Sequence, residues 1–237
     1  MAVTSRYESV SVGGDQFDAY CAIPDSGSGP GVLLFQEVFG INDNIREIAD
    51  RLAAAGYVTL APDMFWRIER RFERKDESGL GDAFAVVQQL DFDKAAEDIE
   101  ATHAHLLRMP ECTGKIGAVG FCLGGTLAFM AATGSRVDGR GIDAAVCFYG
   151  SGINDLLGQT AGLQCPSMFH YGSLDPYISA EMIDQVEAAV QGCPGVEFHR
   201  YAAAGHAFSN SDAPSMYNEA AADQAWKRTD DFFARHL

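Results

Sequence analysis

The strongest constraint on this chain is a series of short apolar runs separated by segments of helical period. "GVLLFQE" (31–37), "YVTLAPD" (57–63), "KIGAVGF" (115–121), "AAVCFYG" (144–150) and "PSMFHYG" (166–172) are each about one strand long. Most lack the in–out alternation of a half-exposed sheet, so they read as strands buried on both faces. "QFDAYCAI" (16–23) alternates loosely and reads as an early strand, followed by a turn at "PDSGSGP" (24–30); residues 196–201 supply a late strand. Between strands, Ile45, Ile48, Leu52 and Ala55 share one face of a helix near 44–55, with Asn44 and Glu47 at capping-box spacing and Gly56 as the stop. A second helix near 94–109 carries Ala96, Ile99, His103, Leu106 and Leu107 on one side and ends at Pro110. A third is expected at 178–191, and Ala222, Trp226, Thr229 and Phe233 form the stripe of a C-terminal helix. Strand–helix alternation throughout predicts an α/β fold, a mostly parallel sheet with helices on both faces, in one continuous domain over residues 1–237.

Composition narrows the partners. Lys and Arg total 17 against 33 Asp and Glu, a formal charge of −16. So acidic a surface repels nucleic acid and anionic lipid, which makes both poor partners. "MAVTSRYESV" shows no basic stretch before an apolar run, so no signal peptide is visible, and no run reaches membrane-span length. The six cysteines (Cys21, Cys112, Cys122, Cys147, Cys165 and Cys193) form no C-x-x-C and no regular framework, which fits reduced thiols in a cytoplasm. Cys21, Cys147 and Cys165 lie in or beside apolar runs and read as core residues.

In sheets of this kind, ligands bind beyond the carboxyl ends of the strands. Three residues with chemical potential follow strands directly. Cys122 sits in "VGFCLGG", a Gly-x-Cys-x-Gly turn that opens a helix. Small flanking residues let the backbone double back there, and the helix N-terminus favours a thiolate and an oxyanion. Taken alone, the turn fits a buried cysteine in a packing turn equally well. Asp175 follows in "YGSLDPYIS", where it can face an imidazole or simply cap a turn. His206 stands in "YAAAGHAFSN", after the last strand. The order nucleophile–acid–base is the chain order of the α/β-hydrolase triad, and the intervals of 53 residues (122 to 175) and 31 residues (175 to 206) leave room for the elements between. The combination favours catalysis. "FQEVFGINDNIRE" lies where this fold places a second oxyanion donor, so the backbone N–H groups of Val38 and Leu123 would form the hole, with Glu37 close enough to touch the thiol. His103 and His105 are two apart on a helix and make a poor metal pair.

These pieces resemble the dienelactone hydrolase (carboxymethylenebutenolidase) family over nearly the full chain: "FQEVFGIN", "IADRLAAAGYVTLAPDMF", "GAVGFCLGGTLAF", "FHYGSLDP" and "AAAGHAF". The resemblance implies a triad of Cys122, His206 and Asp175 that hydrolyses small lactones or esters through a thioester. It also implies that Glu37 holds the resting thiol and moves when substrate enters. No metal or organic cofactor is needed for that chemistry, and the resemblance favours a monomer.

The chain departs from the family where the substrate carboxylate would be gripped. The arginine expected four residues after the histidine is Asn210, preceded by Ser209; the other arginine's region aligns on Leu80; Val87 stands where a tryptophan would be. Phe39, Trp66, Phe84, Ala207, Phe208 and Asn210 remain as candidate substrate contacts, and "RIERRFERK" (67–75, five basic and two acidic residues) is either a replacement clamp or a solvated face. A broader carboxylesterase or thioesterase on the same triad is a second reading. A redox-sensing or binding module built on Cys122 is a third, although no resolving cysteine lies close by in the chain. No G-x-G-x-x-G follows the first buried strand, which argues against a dinucleotide-binding domain.

Overall fold

The computed structural model describes residues 3–75 and 77–237. Eight strands form one sheet in the order β1-β2-β4-β3-β5-β6-β7-β8: β1 (Thr4–Val12), β2 (Asp15–Ile23), β3 (Gly29–Phe35), β4 (Val58–Pro62), β5 (Cys112–Phe121), β6 (Ala144–Phe148), β7 (Ser167–Gly172) and β8 (Val196–Tyr201). From β4 through β8 all neighbours are parallel, whereas β1–β2 and β2–β4 are antiparallel. The mostly parallel sheet is as expected.

Strand β1 is absent from the sequence reading. Its residues "TSRYESVSV" are mainly solvent-facing and only Val10 is buried, so the apolar signal that marks the inner strands is missing. The adjacent pair Gly13–Gly14, both at positive φ (57° and 94°), was the available clue, since such a pair between extended runs is a hairpin signature.

The helices are α1 (Asp43–Ala54), α2 (Leu80–Val87), α3 (Phe92–Arg108), α4 (Leu123–Gly134), α5 (Ala180–Val190) and α6 (Glu219–His236), with 3₁₀ segments at Glu77–Gly79 and Ile153–Gly162. Successive residues of β5 show how they cover both faces. A Cβ on Gly117 would meet Phe233 and Leu237 at the end of α6, and the Phe121 ring lies 5.7 Å from Trp226 of α6. Gly120, on the opposite face, abuts Gly124 of α4. Helices α1 and α6 meet through Arg51, which bonds to Asp230 at 2.7 Å and lies over the Trp226 ring. The core is continuous from β2 to α6. Among the described residues, no helix is long and apolar enough to cross a membrane.

The first helix starts earlier than predicted. Asn42 is its cap, accepting from the Ile45 N–H at 3.2 Å, while Asn44 is buried inside the first turn. Likewise Asp91 caps α3 by accepting from Asp93 and Lys94 N–H groups, ahead of the expected start at 94. All six cysteines are free; burial pushes the Cys21 thiol up to about 12 and also raises those of Cys147 and Cys165.

Candidate active site

The carboxyl ends of five strands supply one site. Cys122 joins β5 to α4 with φ 56° and ψ −117°, a conformation that a side-chain-bearing residue adopts only under strain. Its glycine neighbours are required by space. A Cβ on Gly120 would lie 1.9 Å from the Gly124 oxygen, one on Gly124 would lie 2.2 Å from the Phe35 oxygen, and one on Gly125 would lie 2.6 Å from the Phe148 oxygen. All three contacts are with backbone, which cannot swing aside. The Cys122 N–H donates to the Phe148 oxygen and its own oxygen accepts from Gly125 and Ser151 N–H groups, which pins the turn from both sides.

A second close approach brings Asp175 and His206 together. A Cβ on Gly172 would clash with the Ala204 and Gly205 oxygens, so its absence lets the β7 loop lie against the loop after β8. There His206 Nδ1 meets Asp175 Oδ2 at 2.7 Å, with both side chains almost fully buried. The other Asp175 oxygen accepts from the Tyr177 and Ile178 N–H groups at 2.8 and 2.9 Å. The carboxylate thus both caps its turn and faces the imidazole. Cys122 acts on the same ring electrostatically. Burial alone would lower the His206 pKa, but the charge of Cys122 and the hydrogen bond and charge of Asp175 outweigh it and hold the imidazolium well above the ordinary range.

Glu37, 3% exposed, follows β3. One of its oxygens accepts from Tyr149 Oη at 3.2 Å and the other from Asn210 Nδ2 at 2.6 Å. Burial raises its pKa, against the opposing pull of His206 and those two hydrogen bonds. The thiol meets Ser151 Oγ at 3.6 Å. In this arrangement Glu37 is engaged away from the thiol, unlike the resting contact that the resemblance implied.

These groups edge a cavity of about 240 Å³ that Val38, Phe39, Phe84, Leu123 and Ala207 also line. Leu123 is the first residue of α4, where an N–H has no acceptor within the helix. Trp66 and Phe208 were expected to touch substrate, but the structure places them in the core. Trp66 stacks on Phe17 at 5.4 Å and donates to Asp98 at 2.8 Å, and Phe208 packs against Tyr149 and Tyr201. Asn210 reaches the site only through Glu37. The basic stretch forms no clamp: Arg67 pairs with Asp98, Arg71 with Asp18 and Arg74 with Asp82, and none of these arginines lines the cavity.

Tyr149, Ser151 and Tyr177 escaped the sequence reading. Tyr149 and Ser151 stand just past β6, so the rule that picked out Cys122 would have found them; Tyr177 lies one residue beyond Asp175-Pro176 and packs edge-on against His206 at 5.2 Å. Tyr149, like Cys122 and Ala207, has positive φ, so three of the five non-glycine residues in that region of backbone space among the described residues cluster here. Among the described residues no group of His, Cys, Asp and Glu is assembled to hold a metal ion.

The model of the dienelactone hydrolase family matches residues 17–237. The chain is 34% identical over 213 residues to a carboxymethylenebutenolidase from a Pseudomonas species, covering 88% of this chain and 86% of the relative. It is 31% identical to the carboxymethylenebutenolidase of Pseudomonas putida, covering 94% and 93%. A crystal structure of a candidate dienelactone hydrolase from Klebsiella pneumoniae superposes with a TM-score of 0.85 at 25% identity over 100% of both chains. The fold is therefore that of the α/β-hydrolases. By family model, relatives and architecture together, the chain belongs to the dienelactone hydrolase family and is a carboxymethylenebutenolidase-like hydrolase.

Proposed function

We propose that this single α/β-hydrolase domain opens small lactones and esters by nucleophilic attack of Cys122, with His206 as its acid and base and Asp175 holding the imidazole. The observation that carries the reading is a cysteine forced to φ 56° by a glycine-walled turn, facing a histidine whose other nitrogen is bonded to a buried carboxylate at 2.7 Å. The Cys122 thiolate attacks the substrate carbonyl carbon, and the oxygen becomes an oxyanion received by the Val38 and Leu123 N–H groups. Collapse expels the alkoxide or enolate, which takes the proton from the His206 imidazolium and leaves a thioester on the sulfur. Water then attacks the thioester, losing its proton to the now neutral His206, and the carboxylic acid departs as the thiolate returns beside the imidazolium. Asp175 stabilises the imidazolium at each stage. Glu37, already bonded to Tyr149 and Asn210, leaves the thiol facing His206 before substrate arrives.

The test is turnover of cis- and trans-dienelactone and of p-nitrophenyl acetate by wild type and Cys122→Ala, with acid-quenched mass spectrometry for the acyl-enzyme. Wild-type turnover of at least one substrate, lowered by about 10⁴-fold or more in the variant, is expected. An acyl adduct on Cys122 would establish the thioester, while hydrolysis undiminished in Cys122→Ala would refute the nucleophile.

A further inference from the structure

We infer that the cavity selects uncharged substrates with an apolar acyl chain and excludes those whose acyl end carries a carboxylate. This deepens the hydrolase reading above and rests on it. Around the reacting groups the lining is built from Phe39, Leu80, Phe84, Val87, Phe92 and Met216, with no Lys or Arg among the described lining residues. The carboxyl groups that line it are Glu37 and Glu77, so any fixed negative charge in the lining opposes a bound anion. Two arginines of the flanking segments are committed to carboxylates. Arg74 pairs with Asp82 at 3.0 Å, and Arg46 is held between Asp43 and Glu73 at 2.7 and 2.8 Å.

The outer surface carries the same preference. Six large hydrophobic side chains among the described residues are exposed, and five of them gather at this site. Phe84 and Phe92 line the cavity; Leu174, Tyr177 and Tyr217 edge an adjoining groove; Tyr177 and His206 belong to both. Val38, Leu123 and Cys122 lie on the cavity side, which makes the cavity the acyl chamber. The leaving group departs past His206, toward the groove. An acyl carboxylate would be desolvated among aromatic and aliphatic side chains, and the His206 imidazolium that also lines the cavity is already paired with Asp175, so the penalty is far larger than any methylene-scale discrimination.

The matched probes are p-nitrophenyl hexanoate and mono-p-nitrophenyl adipate, in which the terminal methyl of the acyl chain becomes a carboxylate. We expect kcat/KM to favour the hexanoate by at least about 100-fold. Phe84→Arg, at a half-exposed position that tolerates a long polar side chain, should narrow that ratio by about tenfold or more. Equal turnover of the two esters, or preference for the adipate, overturns the inference. A separate arm makes it independent of the chemistry: calorimetric binding of methyl hexanoate and monomethyl adipate to Cys122→Ala. Tighter binding of the neutral ester supports the cavity assignment even if wild type hydrolyses neither probe, an outcome that would count against the hydrolase reading and leave the lining's preference standing. Equal or tighter binding of the anion overturns the assignment even if Cys122-dependent hydrolysis is found.

Discussion

A cysteine and a histidine in contact are useful to a hydrolase only in the protonation state where sulfur is anionic and imidazole cationic. His206 is buried, which by itself would strip the ring of its proton; the neighbouring sulfur and carboxylate reverse that effect and raise its pKa. The sign fixes a prediction. Asp175→Asn removes one of the raising interactions, so the imidazolium is lost at lower pH, and the alkaline limb of the kcat/KM profile for a p-nitrophenyl ester should move down by about one pH unit or more. The acid limb, where imidazolium is present in either protein, should move less. An alkaline limb that stays in place would mean that Asp175 orients the ring without supporting its charge. Cys122, Asp175 and His206 were legible in the sequence because each lies in the segment that follows a strand, with Gly120 two residues before Cys122 and Gly205 directly before His206. Trp66 and Phe208 misled because an aromatic residue beside a motif has the same letter whether it faces the cavity or the core, and only packing separates the two.

Between elements, a different histidine ties α3 to the end of α4. His103 Nδ1 meets Ser135 Oγ, the residue closing α4, at 2.9 Å, while its Nε2 is buried with no partner. Burial, reinforced by Arg140 and Arg136 and opposed by Asp143, brings the His103 pKa down to about 4. The unfolded chain takes up this proton near pH 6.5, whereas the folded chain resists until about pH 4. Its contribution therefore makes the fold less stable as pH falls through that window. His103→Gln keeps a polar side chain that does not titrate. At pH 7 it should be less stable than wild type by about 1 kcal/mol through the disturbed contact. Between pH 6.5 and 5 that gap should close by about 1–2 kcal/mol, read from urea unfolding at each pH. A constant gap would show that the native state accepts the proton at little cost. The elements themselves were readable wherever burial imposes a pattern: the inner strands β3 to β7 match the apolar runs closely. Strand β1 was invisible because an edge strand in water needs no apolar face, and the cap of α1 was misread because two asparagines, Asn42 and Asn44, lie one residue apart on either side of Asp43. In both cases the deciding contact lies outside the periodic signal.

At the scale of the whole molecule, the charge of −16 adds a second reason for a carboxylate-bearing substrate to be disfavoured. The cavity lining acts at contact distance, whereas the summed surface charge acts over the screening length of the solution, and salt separates the two. At 20 mM salt the field extends roughly 20 Å, so an anion approaching the mouth is repelled before it meets any side chain. At 500 mM the reach contracts to about 4 Å, and only the desolvation cost inside the cavity persists. Raising the salt across this range should therefore increase kcat/KM for mono-p-nitrophenyl adipate by about threefold or more, through the encounter step, while leaving the hexanoate ester nearly unchanged. A partial rise that still leaves the hexanoate far ahead would divide the selectivity between surface and lining. A full convergence of the two esters at high salt would assign it to the surface alone and remove the lining's role. If neither rate responds, the acidic residues are too far from the mouth to influence entry, and their contribution is to the hydration and mutual repulsion of the folded molecules.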